Sequence, residues 1–251
     1  MEARPPLEGR VAVVTGATGG IGSAVCRRLA SAGARVVAGF RRNEPAARLL
    51  IETLPGSNHA AIPADVTDSA ALGRFAEEVG ARYGAVDLLV NSVGRTRFVP
   101  HADLFALDDD LIDEIFRTNW RGPFATIRAL KDLLAKSGDA LVVNVSSVAG
   151  VTGIGSNVAY CASKAALNAM TISLGRALAP AIRIVSVSPG VVETEFIKGL
   201  DESWRREQMS RTPLGRLASP EDVADAVVAL ATTLRCSTGC IIPVDGGRPL
   251  S

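Results

Sequence analysis

Histidine and tyrosine are scarce in this sequence, with two of each among 251 residues, and the four cysteines, Cys26, Cys161, Cys236 and Cys240, contain no CxxC pair. With His59 and His101 as the sole imidazoles available to complete a ligand set, the spacing argues against a zinc site, and all four thiols read as structural groups in a reducing compartment. Charge of either sign is also nearly balanced: Lys plus Arg is 27, Asp plus Glu is 26, and the net charge is +1. No long-range field draws such a chain to nucleic acid or to anionic lipid. No apolar run approaches the roughly 18 to 20 residues of a membrane span, and the opening "MEARPPLEGR" lacks the apolar core of a secretory signal. The expected location is therefore cytoplasmic, and the expected partner is a small molecule.

What is present is apolar and periodic. Hydrophobic residues make up 47% of the chain and charged residues 21%, which suits one α/β domain with a large core. Near-continuous apolar runs at 11–15, 35–40, 59–64, 86–91, 140–146, 182–188 and 240–244 alternate with amphipathic stretches. That rhythm predicts repeated βαβ units and a parallel sheet buried on both faces. Helix punctuation is readable as well. Asp68 or Ser69 caps a helix that Gly84 ends, Gly33 ends the first helix, Ser219 and Pro220 open a helix near the C-terminus, and a further helix is expected over 107–118.

The first strand runs directly into "TGATGGIGSAVC". Its glycines, Gly16, Gly20 and Gly22, follow a G-x-x-x-G-x-G spacing, and Thr18 stands where the commoner GxGxxG pattern has its second glycine. The context of strand, tight turn and helix N-terminus favours phosphate binding, although a plain tight turn would use the same residues. At the end of the second strand, "GFRRN" places Arg41 and Arg42 where an acidic residue would bind a ribose 2′-hydroxyl. A guanidinium there suits a 2′-phosphate, which favours NADP(H) with NAD(H) as the alternative, or else both arginines are solvated surface.

In "NVAYCASKAAL", Tyr160 and Lys164 share a helix face if the segment is helical. An ammonium beside a phenol favours its ionised form and makes it usable in proton transfer near neutral pH. Thirteen residues earlier, Ser147 lies just past the tip of a strand, at the carboxyl edge where open parallel sheets bind ligands.

Together these motifs resemble the short-chain dehydrogenase/reductase family, and in particular its 3-oxoacyl-carrier-protein-reductase-like branch. "TGATGGIG", "ADVTD", "NSVG", "TNWRG", "SSVAG", "YCASK", "SPGVVET" and "VDGG" occur in the family's order over nearly the whole chain. The resemblance implies a doubly wound Rossmann-type α/β fold with a seven-stranded parallel sheet and one NADP-binding oxidoreductase domain over 1–251. It also implies a catalytic set of Asn119, Ser147, Tyr160 and Lys164. For the dinucleotide it implies Gly16, Thr18, Gly20, Ile21, Gly22, Arg41, Asp65, Val66, Asn91, Gly94, Tyr160, Lys164 and Thr194. Two positions depart from the family pattern: Ser92 replaces the second Asn of NNAG, and Val185 replaces an Asn before "SPG".

The implied reaction interconverts a carbonyl and a secondary alcohol, with a 3-oxoacyl thioester or related ketone as substrate. Ser147 and Tyr160 would bind the carbonyl oxygen, Lys164 would lower the tyrosine pKa and hold the nicotinamide ribose, and Asn119 would anchor a water that resupplies protons. A dehydrogenase of a sugar, steroid or other cyclic alcohol remains open. So does a non-catalytic NADP sensor or scaffold, although it would not need the four catalytic residues, and an epimerase or dehydratase would call for an added substrate domain. The stretch 191–218 reads as a lid over an apolar substrate or as a face packed on the domain, with Phe196, Ile197, Leu200, Trp204 and Met209 as its apolar set. Arg95, Arg97, Arg205 and Arg206 could receive an acidic carrier or a coenzyme phosphate, or be solvated, and His101 could touch substrate. The resemblance further implies a homo-oligomer, a dimer or tetramer, with the apolar "CIIPVDGGRPL" consistent with a buried tail.

Overall fold

The computed structural model describes residues 5–194 and 201–250. Seven strands form one parallel sheet: β1 Val11–Thr15, β2 Arg35–Phe40, β3 Ala60–Pro63, β4 Leu88–Asn91, β5 Ala140–Val145, β6 Ile182–Pro189 and β7 Ile241–Val244, in the order β3-β2-β1-β4-β5-β6-β7. The helices are α1 Gly20–Ser31, α2 Glu44–Glu52, α3 Ser69–Tyr83, α4 Asp109–Phe116, α5 Gly122–Ser137, α6 Ala149–Thr152, α7 Val158–Ala177, α8 Glu202–Ser210 and α9 Pro220–Thr232.

Period-two alternation along the buried strands explains the two layers. In β1, Ala12 and Val14 face a core built with Val25 and Leu29 of α1 and Val223, Val227 and Leu230 of α9. Val11 and Val13 face the opposite core of Leu72, Phe75 and Val79 from α3, Ile127, Leu130 and Leu134 from α5, and Leu167 and Met170 from α7. The caps act as the sequence indicates. The Asp68 carboxylate accepts from the Ala70 and Ala71 amides, Gly84 closes α3 at φ 78°, and Ser219 and Asp222 form a reciprocal capping box ahead of α9.

Three departures from the sequence reading have local causes. The third strand starts at Ala60 because the His59 ring, not its backbone, accepts from the Val36 amide at 3.0 Å. The fourth starts at Leu88, the first residue to pair in register with β1. The helix expected over 107–118 begins at Asp109 and gives way after Phe116 to a π-helical turn, Arg117–Arg121, that leads into α5. The extra residue per turn swings Asn119 inward, where it is fully buried.

Sheet order reverses between β1 and β4, and the crevice at that switch point is where such folds bind ligands. A row of buried polar groups binds the C-terminal halves of the strands to α7. Asn91 Nδ2 donates to Asn144 Oδ1 at 2.9 Å, Asn144 Nδ2 donates to Thr171 Oγ1 at 2.9 Å, and Thr171 and Ser186 share a 2.8 Å hydroxyl contact. In a low-dielectric interior such satisfied links fix one arrangement of helix on sheet. Val185, by contrast, is part of the apolar core. The C-terminal segment is less enclosed in the single chain than its apolar character suggests: β7 is half-exposed and Leu250 is 85% exposed.

Candidate active site

The glycine loop lies in the crevice, and its packing leaves no room for a side chain at Gly16 or Gly22. Gly16 leaves β1 at φ 69°, and a Cβ there would sit 3.0 Å from the Ser92 carbonyl oxygen beyond β4. A Cβ on Gly22 would sit 2.2 Å from the Gly16 carbonyl oxygen. The loop is thus folded tightly on the first turn of α1, with amides directed where an anion would lie. Thr194, after β6, covers Gly20, whose Cβ would be 3.0 Å from the threonine Cγ2.

Beside this loop a cavity of about 370 Å³ is lined by Gly16, Thr18, Arg41, Asp65, Val66 and Gly94, among others. Ile21 packs against the first core and stays out of that lining, while Asn91 is buried at the end of β4. Arg41 and Arg42 are exposed at the end of β2. Asp65 accepts from the Thr67 amide at 2.9 Å and the Thr67 hydroxyl at 2.7 Å. Burial works against ionisation of Asp65, but these hydrogen bonds and the two arginines together hold its carboxyl below the usual range. Asn91 Oδ1 is buried and has no partner among the described residues. A loop packed tightly at Gly16 and Gly22 on the first turn of a helix, with Arg41 and Arg42 lining the same cavity, fits a dinucleotide phosphate.

On the other side of the crevice, β5 ends at Val145 and α7 begins at Val158. The Ser147 hydroxyl hydrogen-bonds that of Tyr160 and accepts from the Ala149 amide at 3.2 Å. Lys164, 3% exposed, donates from Nζ to the Val145 carbonyl at 2.8 Å and lies 5.8 Å from the centre of the Tyr160 ring. The α6 turn rests on α7 at this point, since a Cβ on Gly150 would be 2.7 Å from the Lys164 carbonyl carbon.

Burial governs both ionisable groups. It raises the Tyr160 phenol above its ordinary value, with the Ser147 hydrogen bond pulling the other way, and it lowers Lys164 to about 8. The sequence reading has Lys164 depressing the tyrosine; in the folded chain burial is the larger influence on the phenol, and it is Ser147 that opposes it.

Asn119 is tied from both ends of its amide. Its Oδ1 accepts from the Arg95 amide at 2.7 Å, and its Nδ2 donates to the Arg95 carbonyl and to Ser163 Oγ, each at 3.0 Å. Both side-chain N–H groups are therefore engaged within the protein. The structure thus brings together all four residues named for catalysis.

Sequence reasoning passed over Asn157 and Ser163, which bind the backbone of Tyr160 on either side. An Asn three residues before Tyr160 is a helix N-cap signal that could have found the first.

The neighbouring arginines are each neutralised: Arg95 by Glu114, Arg97 by Asp108, Arg205 by Glu193 and Arg206 by Glu202. His101 is held by its Nε2 at 3.1 Å from the Gly155 carbonyl. Of the 191–218 stretch, Phe196, Ile197 and Leu200 lie outside the described residues. Val192 bridges to Ala218, and α8 follows, carrying a half-buried Trp204 and a Met209 that is 36% exposed.

A glycine-cradled crevice at the switch point, bordered by a hydroxyl pair and a buried lysine, defines a dinucleotide-binding α/β protein with an acid–base centre. Residues 16–248 match the family described as Enoyl-(Acyl carrier protein) reductase. The chain is 38% identical over 245 residues, covering 97% of each chain, to a Streptomyces violaceoruber protein described as ketoacyl reductase 2 of the granaticin polyketide synthase. It is 36% identical over 245 residues to the 3-oxoacyl-(acyl-carrier-protein) reductase FabG of Thermotoga maritima, covering 96% of this chain and 98% of that one. Among solved structures, a short-chain dehydrogenase/reductase of Brucella melitensis, titled glucose/ribitol dehydrogenase, superposes with a TM-score of 0.90 at 30% identity, covering 98% of this chain and 99% of that one. The chain belongs to the short-chain dehydrogenase/reductase family, in its 3-oxoacyl-carrier-protein-reductase-like branch, and is an NAD(P)-dependent oxidoreductase.

Proposed function

We propose that this protein is a ketoreductase that uses NADPH to reduce a 3-oxoacyl thioester or a related ketone to the secondary alcohol, within one domain spanning 1–251. The observation that carries this reading is the Ser147–Tyr160 hydroxyl pair set above a buried Lys164 at the mouth of the glycine crevice. Bound NADPH supplies the hydride. The Ser147 and Tyr160 hydroxyls hold the substrate carbonyl oxygen, and Tyr160 O–H gives up its proton as charge develops there. A phenol kept protonated by burial suits the reductive direction. Lys164, fixed by the Val145 carbonyl, places its ammonium where it stabilises the phenolate left behind. Asn119 holds the Arg95 backbone, and with it the wall of the cofactor cavity.

The exposed Arg41 and Arg42 support NADP over NAD. The NADP-binding residues are those named from the sequence: Gly16, Thr18, Gly20, Ile21, Gly22, Arg41, Asp65, Val66, Asn91, Gly94 and Thr194, with Tyr160 and Lys164 at the nicotinamide. Phe98 and Ile154, on loops, and Val151, in α6, are 73%, 73% and 69% exposed and suit an apolar substituent on the substrate. The 3-oxoacyl assignment draws on the names of the two curated relatives. With Arg95, Arg97, Arg205 and Arg206 all ion-paired, an acidic carrier or a coenzyme phosphate would compete with those carboxylates for the four arginines. A homo-oligomer fits the apolar groove of Phe116, Trp120, Phe124, Met170 and Leu174. Among the described residues no helix is long and apolar enough to cross a membrane, which accords with a cytoplasmic setting.

A panel of acetoacetyl-coenzyme A, 3-oxo esters and cyclic ketones, each with NADPH and with NADH and followed at the nicotinamide absorbance, tests this reading. Faster turnover of the 3-oxo compounds with NADPH is expected, with that preference lost in Arg41→Ala. Equal rates with both cofactors would remove the NADP assignment, and no turnover of any ketone would favour a sensor.

The lysine gives a pH prediction. Its folded pKa is lowered to about 8, so the ammonium is present below that pH and lost above it. Reductive kcat/KM should therefore decline as pH rises through about 8. A profile that stays level from about pH 7 to about pH 10 would contradict the role given to Lys164.

A further inference from the structure

Tyr160 is held at its backbone as well as its hydroxyl, and the two ends of that grip meet on the same segment of chain. Asn157, fully buried, accepts at Oδ1 from the Tyr160 amide at 2.7 Å. Its Nδ2 donates to the Arg97 carbonyl at 2.7 Å and to Thr96 Oγ1 at 3.2 Å. On the far side of the same turn, Ser163 Oγ donates to the Tyr160 carbonyl at 2.8 Å and accepts from Asn119 Nδ2 at 3.0 Å. Asn119 in turn holds Arg95. The circuit closes: residues 95–97 are gripped at one end by Asn119 and at the other by Asn157, and both grips lead to the backbone of Tyr160. The Thr96 and Ser156 hydroxyls share a short hydrogen bond, and the Val99 amide donates to the Ser156 carbonyl at 2.8 Å, which brace the strap further.

An N-cap alone would need only the Oδ1 contact. The second half of the Asn157 amide faces the strap, whose Arg95 also lines the cofactor cavity. We propose that Asn157 is a positioning residue for the reaction: by joining the Tyr160 amide to Thr96 and Arg97, it sets where the tyrosine hydroxyl stands relative to the nicotinamide side of the crevice. This inference rests on Tyr160 being the proton donor. Displacements of about 1 Å in a reacting group can cost about a hundredfold in rate, and a buried amide bonded at both ends prevents them.

Asn157→Ser tests it, because serine retains a capping oxygen for the Tyr160 amide but cannot span to Arg97. With NADPH and acetoacetyl-coenzyme A, or the best ketone of the panel, kcat should fall about tenfold to a hundredfold. NADPH affinity, read by fluorescence titration, should stay within about threefold, since Asn119 still holds Arg95. In the cofactor-free protein, amide exchange should speed up at 96–99 while β4 and β5 remain protected. A kcat within about twofold of the parent, a loss that merely follows the unfolded fraction, or unchanged exchange at 96–99 would each overturn the inference. Thr96→Val, which removes one of the two acceptors, should lower kcat in the same direction if Asn157→Ser proves too unstable to assay, and no loss there would also overturn it. Tyr160→Phe run alongside separates the two levels. Turnover by that variant defeats the donor reading itself, whereas an inactive Tyr160→Phe beside a fully active Asn157→Ser defeats the positioning role alone.

Discussion

Replacing Tyr160 by phenylalanine should abolish ketone reduction, lowering kcat by about a thousandfold or more, while the protein stays folded and binds NADPH. The change removes one oxygen. The ring remains on α7, close to Gly155, whose Cβ would sit 3.3 Å from the tyrosine Cδ1, and both backbone bonds of residue 160 are untouched. Lys164 keeps its bond to the Val145 carbonyl, so the lysine stays in place. Ser147 loses a partner but is only half-buried and can turn to water, a loss of about 1 kcal/mol at most. What disappears is the proton donor and one of two hydroxyls on the developing oxyanion. Steady-state rates together with a fluorescence titration of NADPH check this. Substantial residual turnover with intact cofactor binding would move the donor role to another group.

Gly22→Ala should be the most damaging single-methyl change in the cofactor crevice. Its Cβ would sit 2.2 Å from the Gly16 carbonyl oxygen, 2.9 Å from the Gly16 carbonyl carbon and 3.0 Å from Ala17 Cα. All three are backbone atoms, so no side chain can rotate away, and the loop has to lift off α1. Overpacking of this kind costs about 1–3 kcal/mol in stability. Dinucleotide affinity should suffer more, because the amides that face the phosphates move with the loop, and a loss of about a hundredfold in NADPH Kd is expected. Gly73→Ala in α3 is the control: a Cβ there meets nothing within 4 Å, and helix stability should rise slightly. Thermal denaturation and NADPH titration on the two variants read both effects. A Gly22→Ala protein that binds NADPH like the parent would show that the loop does not hold the phosphates.

Strands were the most legible part of the chain, because β-branched runs buried on both faces admit few alternatives and glycine or a helix cap marks their ends. The errors came where a side chain replaced a backbone partner, as His59 does for Val36, or where the register sets the first paired residue, as at Leu88. The π turn at Arg117–Arg121 left no clear mark in the sequence, since only packing against the Arg95 strap makes the inward swing of Asn119 worthwhile. Tyr160 and Lys164 were readable from helical spacing, and Ser147 from the strand tip. Their electrostatics were not: the depth of burial that raises the phenol and lowers the lysine depends on Gly150 and α6 folding over α7. The grip of Asn157 on Arg97 joins residues 60 positions apart, beyond the reach of any local pattern.

The central claim is that this crevice passes a hydride to a ketone whose oxygen Tyr160 protonates. Its most direct test is a reaction of the wild-type protein with acetoacetyl-coenzyme A and NADPH deuterated at the transferable position, with the product examined by mass spectrometry. The account predicts one deuterium, on the carbinol carbon of the 3-hydroxy product, and none formed when Tyr160→Phe replaces the wild type. Absence of the alcohol, or an alcohol carrying no deuterium on that carbon, would contradict it.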